Sequence, residues 1–331
     1  MESRIMFQAA PSDTKSSFRY VNFRFLSFLL LCCVVLLWIS TETLVRGGLS
    51  KSSRIEGRID GEHRALLSVT SEPGPVKLLV IGNSLLNAGV DFPEFQNSMG
   101  PGFKASRYVI EQTNFLDWYY GLRRLYKEGV RADFVVLPLS ARQIIADGVR
   151  GEYFAYRMMN AGDFLDAARD AKLSATGAFS LLLGRWSAFY GTRSETRKFI
   201  LSKTVPGVTG LVSYLSPGAD PNPLDHERTV RAAAQRFKRI DELVRNNGGH
   251  FVFIVPASLD PHEEMYLEEA GRSAEISLLV PMRTETLSSI DFSDGFHLNP
   301  AGASRFTRAL VLNLQEAIAT IQPQAIRSQN D

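Results

Sequence analysis

What most limits the fold of this chain is a pairing that recurs from residue 77 onward: short unbroken apolar runs, separated by stretches of helical periodicity. The runs are KLLVIG (77–82), SRYVIE (106–111), ADFVVLPLS (132–140), HFVFIVPAS (250–258) and ISLLVP (276–281). They are of strand length and mostly do not alternate apolar with polar, which predicts a sheet covered on both faces. Between the second and third runs, Phe115, Trp118, Tyr119, Leu122 and Leu125 recur at helical spacing behind Asn114, a candidate N-cap. Ahead of the fourth run, Val230, Ala233, Ala234, Phe237, Ile240 and Val244 form a second stripe, closed by Gly248 and Gly249. Strands joined through helices imply crossover connections, so the expected fold class is α/β: a three-layer α/β/α domain with a mostly parallel sheet.

That domain is expected over 77–322, with a helical insertion at 152–224, where helical composition lacks any strand signal and ends in a Pro/Gly-rich stretch. Residues 1–22 read as a cytoplasmic tail, 23–45 as a transmembrane helix, 46–76 as a tether rich in charge, Gly and Ser, and 323–331 as a disordered tail. The span is argued from 25–39, FLSFLLLCCVVLLWI, which carries no charge, extended through Ser40 and Thr41 to Leu44 and Val45. A signal-peptide core is the alternative; no small-x-small cleavage site follows Trp38, and the residues before Cys32 are not those of a lipoprotein signal. Lys15, Arg19 and Arg24 precede the span while Arg46, Lys51, Arg54 and Arg58 follow it, so charge does not set its orientation.

A net charge of +2 gives no electrostatic footprint for nucleic acid. Both cysteines, Cys32 and Cys33, lie in the apolar run, leaving no disulfide framework and no thiolate metal site. His63, His226, His250 and His262 are scattered, and neither a zincin, a Walker nor a dinucleotide glycine pattern occurs, so no cofactor or metal is predicted.

The chemistry is expected where the first strand stops. Gly82-Asn83-Ser84 puts a hydroxyl at the carboxyl end of a strand, where open α/β sheets bind ligands. Far along the chain, DGFHLNPAGA presents Asp294 and His297 on one turn, with Gly295 between them and a helix starting at Asn299-Pro300. A serine needs a base near neutral pH, histidine supplies one, and a carboxylate fixes the imidazole tautomer. Ser84, His297 and Asp294 are the candidate nucleophile, base and orienting acid, with Asp291 a local rival for the last role. The bland alternatives are a helix-capping serine and a surface-turn histidine. Trp118, Tyr119 and Tyr120 could line a sugar site, although core packing accounts for them better.

The blocks VIGNSLLNAGVD and DGFHLNPAGA resemble the first and last motifs of the SGNH/GDSL hydrolase superfamily, over about 77–318. The resemblance implies a flavodoxin-like three-layer fold and ester or acyl-transfer chemistry through an acyl-serine. The added span is similar to the anchored branch that acts on acyl groups of envelope polysaccharides or exopolysaccharides. That branch implies a bacterial-type cytoplasmic membrane, a bilayer partner through 23–45, an extracytoplasmic domain and contact with polysaccharide machinery. The family's two other blocks supply an oxyanion glycine and asparagine. Here Gln112 stands near the glycine position, and PLSARQIIADG has no asparagine, which leaves Arg142 or Gln143 to donate, or backbone amides of Ser84 or Gln112. The alternative implied by those departures is an inactive scaffold of the same fold in a polysaccharide assembly complex.

Overall fold

In the computed structural model, residues 23–69, 74–205 and 223–328 are described. The expected tail at 1–22 and residues 206–222 of the Pro/Gly-rich stretch lie outside them. The sheet has five strands: β1 (Val76–Gly82), β2 (Phe103–Val109), β3 (Phe134–Pro138), β4 (His250–Ile254) and β5 (Ser277–Leu279). Their order is β2-β1-β3-β4-β5 and every pairing is parallel. The chain moves outward from β1 to β2, then returns past β1 to β3, so the order reverses between β1 and β3. That reversal opens a crevice at the carboxyl edge.

Alternation within each strand sorts the side chains into two cores. Leu79, Ile81, Val135, Leu137, Phe251 and Phe253 face one layer. It is built from α2 (Arg54–Leu66), α5 (Phe115–Lys127) and α12 (His226–Arg245), among others. Leu78, Val80, Phe134, Val136, Val252 and Ile254 face the other layer, made by α3 (Ser84–Gly89), α4 (Phe92–Met99) and α14 (Pro300–Ser328). The continuous apolar runs are thus apolar on both faces because both faces are covered. α14 is tied to α4 by the buried Thr307, whose hydroxyl accepts the Asp91 N–H at 2.9 Å.

Two sequence expectations are corrected. Residues 46–76 are not simply a tether. α1 (Phe23–Ser52) runs seven residues past the expected end of the span, and α2 then packs Ile59 and Leu66 into the core. The charge that suggested a solvated linker is consumed by partners: Arg157 pairs with Glu56 and Asp60, and Glu62 accepts the Val109 N–H of edge strand β2 at 2.9 Å. The expected disordered tail at 323–331 is helical to Ser328, because adding turns to an established helix is far easier than nucleating one; residues 329–331 lie outside the described residues.

Between β3 and β4 the chain forms α6 (Ala141–Ile145), α7 (Gly151–Arg157), α8 (Phe164–Asp170), α9 (Ala175–Trp186), α10 (Ala188–Gly191) and α11 (Arg193–Thr204). Before β5 comes α13 (Pro261–Ala274). Phe23–Leu49 of α1, with a mean hydropathy of 2.3 over its most apolar window, is long and apolar enough to cross a membrane.

Candidate active site

Three local devices put Ser84 where it is. β1 ends at Gly82, where an added Cβ would meet Leu86 Cβ at 3.0 Å and Pro138 Cδ at 3.4 Å, so glycine lets α3 start close to β3 without pushing these neighbours aside. Asn83, fully buried, then caps α3: its Oδ1 accepts the Leu85 N–H at 3.0 Å, and its Nδ2 donates to the Thr113 carbonyl at 2.9 Å. One side chain therefore locks the end of β1 to the loop after β2. Ser84 is the first residue of α3, and its own N–H donates to none of the described residues.

The second segment is a tight turn between the short helical turn Ser289–Asp291 and α14. Phe292 and Leu298 bridge in antiparallel fashion, and the Ser293 N–H donates to the His297 carbonyl at 2.8 Å. Gly295 takes φ +81 at the turn's tip. Asp294 Oδ1 accepts the backbone N–H groups of Phe296 (3.0 Å) and His297 (2.7 Å), so one carboxylate oxygen holds the turn. Its other oxygen, Oδ2, lies 2.8 Å from His297 Nδ1. His297 Nε2 lies 3.0 Å from Ser84 Oγ, across 213 residues of sequence. Since Nδ1 faces a carboxylate, it carries the proton, and Nε2 is left to accept from the serine. Asp294 is partly desolvated, which by itself raises its pKa, but the bonds from the His297 ring and from the two amides prevail and hold the carboxyl down at about 2.

The rival Asp291 has another task. It accepts the Ser288 N–H at 3.0 Å and pairs with Arg305 at 2.6 Å, fixing the turn to α14. Trp118 and Tyr120 are core residues: the indole N–H donates to the buried Thr113 hydroxyl at 2.9 Å, and Tyr120 meets Asp170 at 2.7 Å. Asn114 stands at the N-cap of α5, where its N–H donates to Asp117 at 2.8 Å.

Gln112 and Arg142, the expected oxyanion donors, occupy different places. Gln112 lies in the loop that Asn83 anchors and takes φ +58, a conformation that favours glycine. Arg142 lines an open basin of about 610 Å³ with Asp147, Lys172, Arg228 and Arg236, beside α12, and its charge also acts on Glu263. Ser140 caps α6 by accepting the Gln143 N–H at 3.3 Å.

Beside Ser84 and His297 runs a narrow cleft of about 20 Å³, lined by Leu85, Ser140, Pro256, Ala257, Glu263 and Phe296, among others. Glu263 was not singled out from sequence. It accepts the Ala141 N–H at 2.6 Å, and burial pushes its carboxyl up. DPHEE reads only as an acidic first turn of a helix, which gives no sign that one of its carboxylates faces the crevice.

No protein-family model matches the chain, and no curated protein matches it. Solved structures do match. One is a catalytic mutant of Axe2, an acetylxylan esterase from Geobacillus stearothermophilus, at 10% identity, covering 73% of this chain and 95% of that one with a TM-score of 0.37. TesA matches at 11% identity, 72% and 98% coverage and a TM-score of 0.36. An alpha/beta hydrolase from the metagenome of Lake Arreo, Spain, matches at 9% identity, 75% and 97% coverage and a TM-score of 0.35.

Proposed function

We propose that this chain is a membrane-anchored serine esterase or O-acyltransferase of the SGNH/GDSL type. It acts on short acyl esters of an envelope polysaccharide or exopolysaccharide, with α1 in a bacterial-type cytoplasmic membrane and the domain on its outer side. The observation that carries the reading is the continuous relay from Ser84 Oγ through His297 to Asp294, at 3.0 Å and 2.8 Å.

In this mechanism, His297 Nε2 takes the Ser84 proton as Oγ bonds to the ester carbonyl carbon. Negative charge collects on the carbonyl oxygen, where the Ser84 N–H and the backbone of Gln112 are the donors at hand. Nε2 then returns the proton to the alcohol oxygen as the carbon–oxygen bond breaks, leaving an acyl-Ser84. Water or a sugar hydroxyl repeats the sequence in reverse, giving free acid or a transferred ester. Asp294 keeps the imidazole in the Nδ1–H tautomer and stabilises its protonated form. The cleft beside the serine has room for little more than one water-sized group, which supports an acetyl-sized acyl chain over a longer one.

A second reading, a non-catalytic scaffold of the same fold, draws support from Arg142 lining a separate basin and from Gln112 at the glycine position. A fluorophosphonate probe applied to the full chain in detergent separates the two. Labelling that disappears in Ser84→Ala, while the unfolding transition of the variant is unchanged, is the expected result. A folded protein that never labels, and does not hydrolyse an aryl acetate, overturns the enzyme reading in favour of the scaffold.

A further inference from the structure

α9 is apolar on two opposite faces. Leu181 and Gly184 point into the protein, where an added Cβ at Gly184 would meet the Glu152 carbonyl of α7 at 2.8 Å. Phe179, Leu182, Leu183 and Trp186, spaced as one helical stripe, point the other way into solvent; Phe179 is 59% and Trp186 67% exposed. Phe189, just past the junction with α10, is exposed as well. Four large side chains in one row, Phe179 and Trp186 mostly exposed and Leu182 and Leu183 over a third exposed, form an apolar patch of the kind that marks a contact surface.

The α9–α10 junction shows which surface is at hand, because it is bonded to α1. Glu42 accepts the Ser187 hydroxyl at 2.8 Å and the N–H groups of Ala188 at 2.7 Å and Phe189 at 3.1 Å. Arg46 donates to the Trp186 carbonyl at 3.0 Å. Glu42 follows the uncharged stretch ending at Ile39 by three residues, about 5 Å along a helix axis. The head-group zone on each side of the hydrocarbon is of similar thickness, roughly 5–8 Å. If α1 crosses the bilayer, residues 186–189 are held at head-group depth, the level that tryptophan side chains such as Trp186 favour. α11 follows directly with Arg193, Arg197, Lys198 and Lys203; Arg193 pairs with Glu152 at 2.6 Å and Lys198 with Glu195 at 3.1 Å, and the helix keeps a positive balance that suits anionic lipid.

We propose that the outer face of α9, continued by Phe189, lies in the head-group layer of the bilayer that α1 crosses, so that the domain rests on the membrane at two places. This rests on the anchoring put forward above and is independent of the serine chemistry.

The test uses the full chain in vesicles of phosphatidylcholine and phosphatidylglycerol, in a Cys32→Ser, Cys33→Ser background. A polarity-sensitive dye is placed singly through Val35→Cys, Leu183→Cys or Leu312→Cys, and quenched by lipids carrying a doxyl group near the head or deep in the chain. Each position is exposed, so labelling leaves the core intact, and an unchanged unfolding transition verifies it. The expected result is a blue shift at 183 with strongest quenching by the head-proximal doxyl, deep quenching at 35, and neither at 312. Quenching at 35 with 183 behaving like 312 overturns the second contact while anchoring stands, and leaves the stripe to a protein partner. Absence of quenching at all three positions removes the anchoring and this inference together.

Discussion

The carboxyl edge of the sheet and the helical insertion are stabilised in opposite ways. At the edge, short polar bonds set every position: Asn83 ties two loops, Asp294 Oδ1 holds two amides, and Asp291 clamps Arg305. The groups that matter there remain partly open to solvent, and the cleft beside them is small. In the insertion the polar bonds are turned inward, onto Glu42 of α1, while the surface facing out is a row of aromatic and aliphatic side chains. The first region holds His297 Nε2 3.0 Å from Ser84 Oγ. The second is organised to place a whole domain relative to α1. A defect at the edge should therefore alter rate with little change in stability, and a defect in the insertion the reverse.

The largest break in that contrast comes from the relay. Ser84→Ala or His297→Ala is expected to lower kcat by about 10⁴-fold or more, with the thermal transition unmoved. Ester hydrolysis by the purified full chain measures the first and differential scanning fluorimetry the second. A smaller loss, about a thousandfold in kcat, is expected for Asp294→Asn, because the amide favours the wrong imidazole tautomer. The partial exposure of this carboxylate keeps the loss from being larger.

Beneath the edge, Asp117 links the two regions. Fully buried, it accepts the amides of Asn114 and Arg150 at 2.8 Å each, the second of these just ahead of α7. Burial pushes its carboxyl up to about 7, and those two amide bonds restrain the shift. A raised carboxyl binds its proton more tightly folded than unfolded. Its contribution is therefore complete below the unfolded value near 4 and is lost as pH rises toward about 7. Asp117→Asn should remove that slope from a stability–pH profile taken by urea titration. It should also cost about 1–3 kcal/mol at neutral pH, since an amide cannot accept on both sides.

Legibility from sequence follows the same division. The five strands and the helices between them could be read, because apolar runs and turn-forming residues act locally; the approach of Ser84 to His297 and Asp294 is a contact across 213 residues, foretold only by the resemblance of two distant sequence blocks to a known family. The packing of 54–66 could not: Ile59 and Leu66 are only two apolar anchors among charges, and the charges find their partners on Arg157 and on β2, far away in sequence.

Two smaller effects sharpen the comparison. Glu42→Gln should lower stability by about 1–2 kcal/mol through weaker bonds to 187–189, with kcat on a soluble ester unchanged. Unfolding followed alongside initial rates checks both halves. Gln112→Gly should stabilise the fold by less than about 1 kcal/mol, because it relieves φ +58. If the backbone amide is the oxyanion donor, kcat should stay within about threefold, well short of the hundredfold or more that a lost donor costs.

The distance in sequence between Ser84 and His297 also has a consequence for biosynthesis. His297, on one turn with Asp294, comes 213 residues after Ser84, and α14 must dock before that turn is held against α3. A growing chain that already displays its hydroxyl at the end of β1 therefore has no imidazole beside it. On the proposed mechanism, a product truncated ahead of Asp294 is expected to be inert rather than uncontrolled.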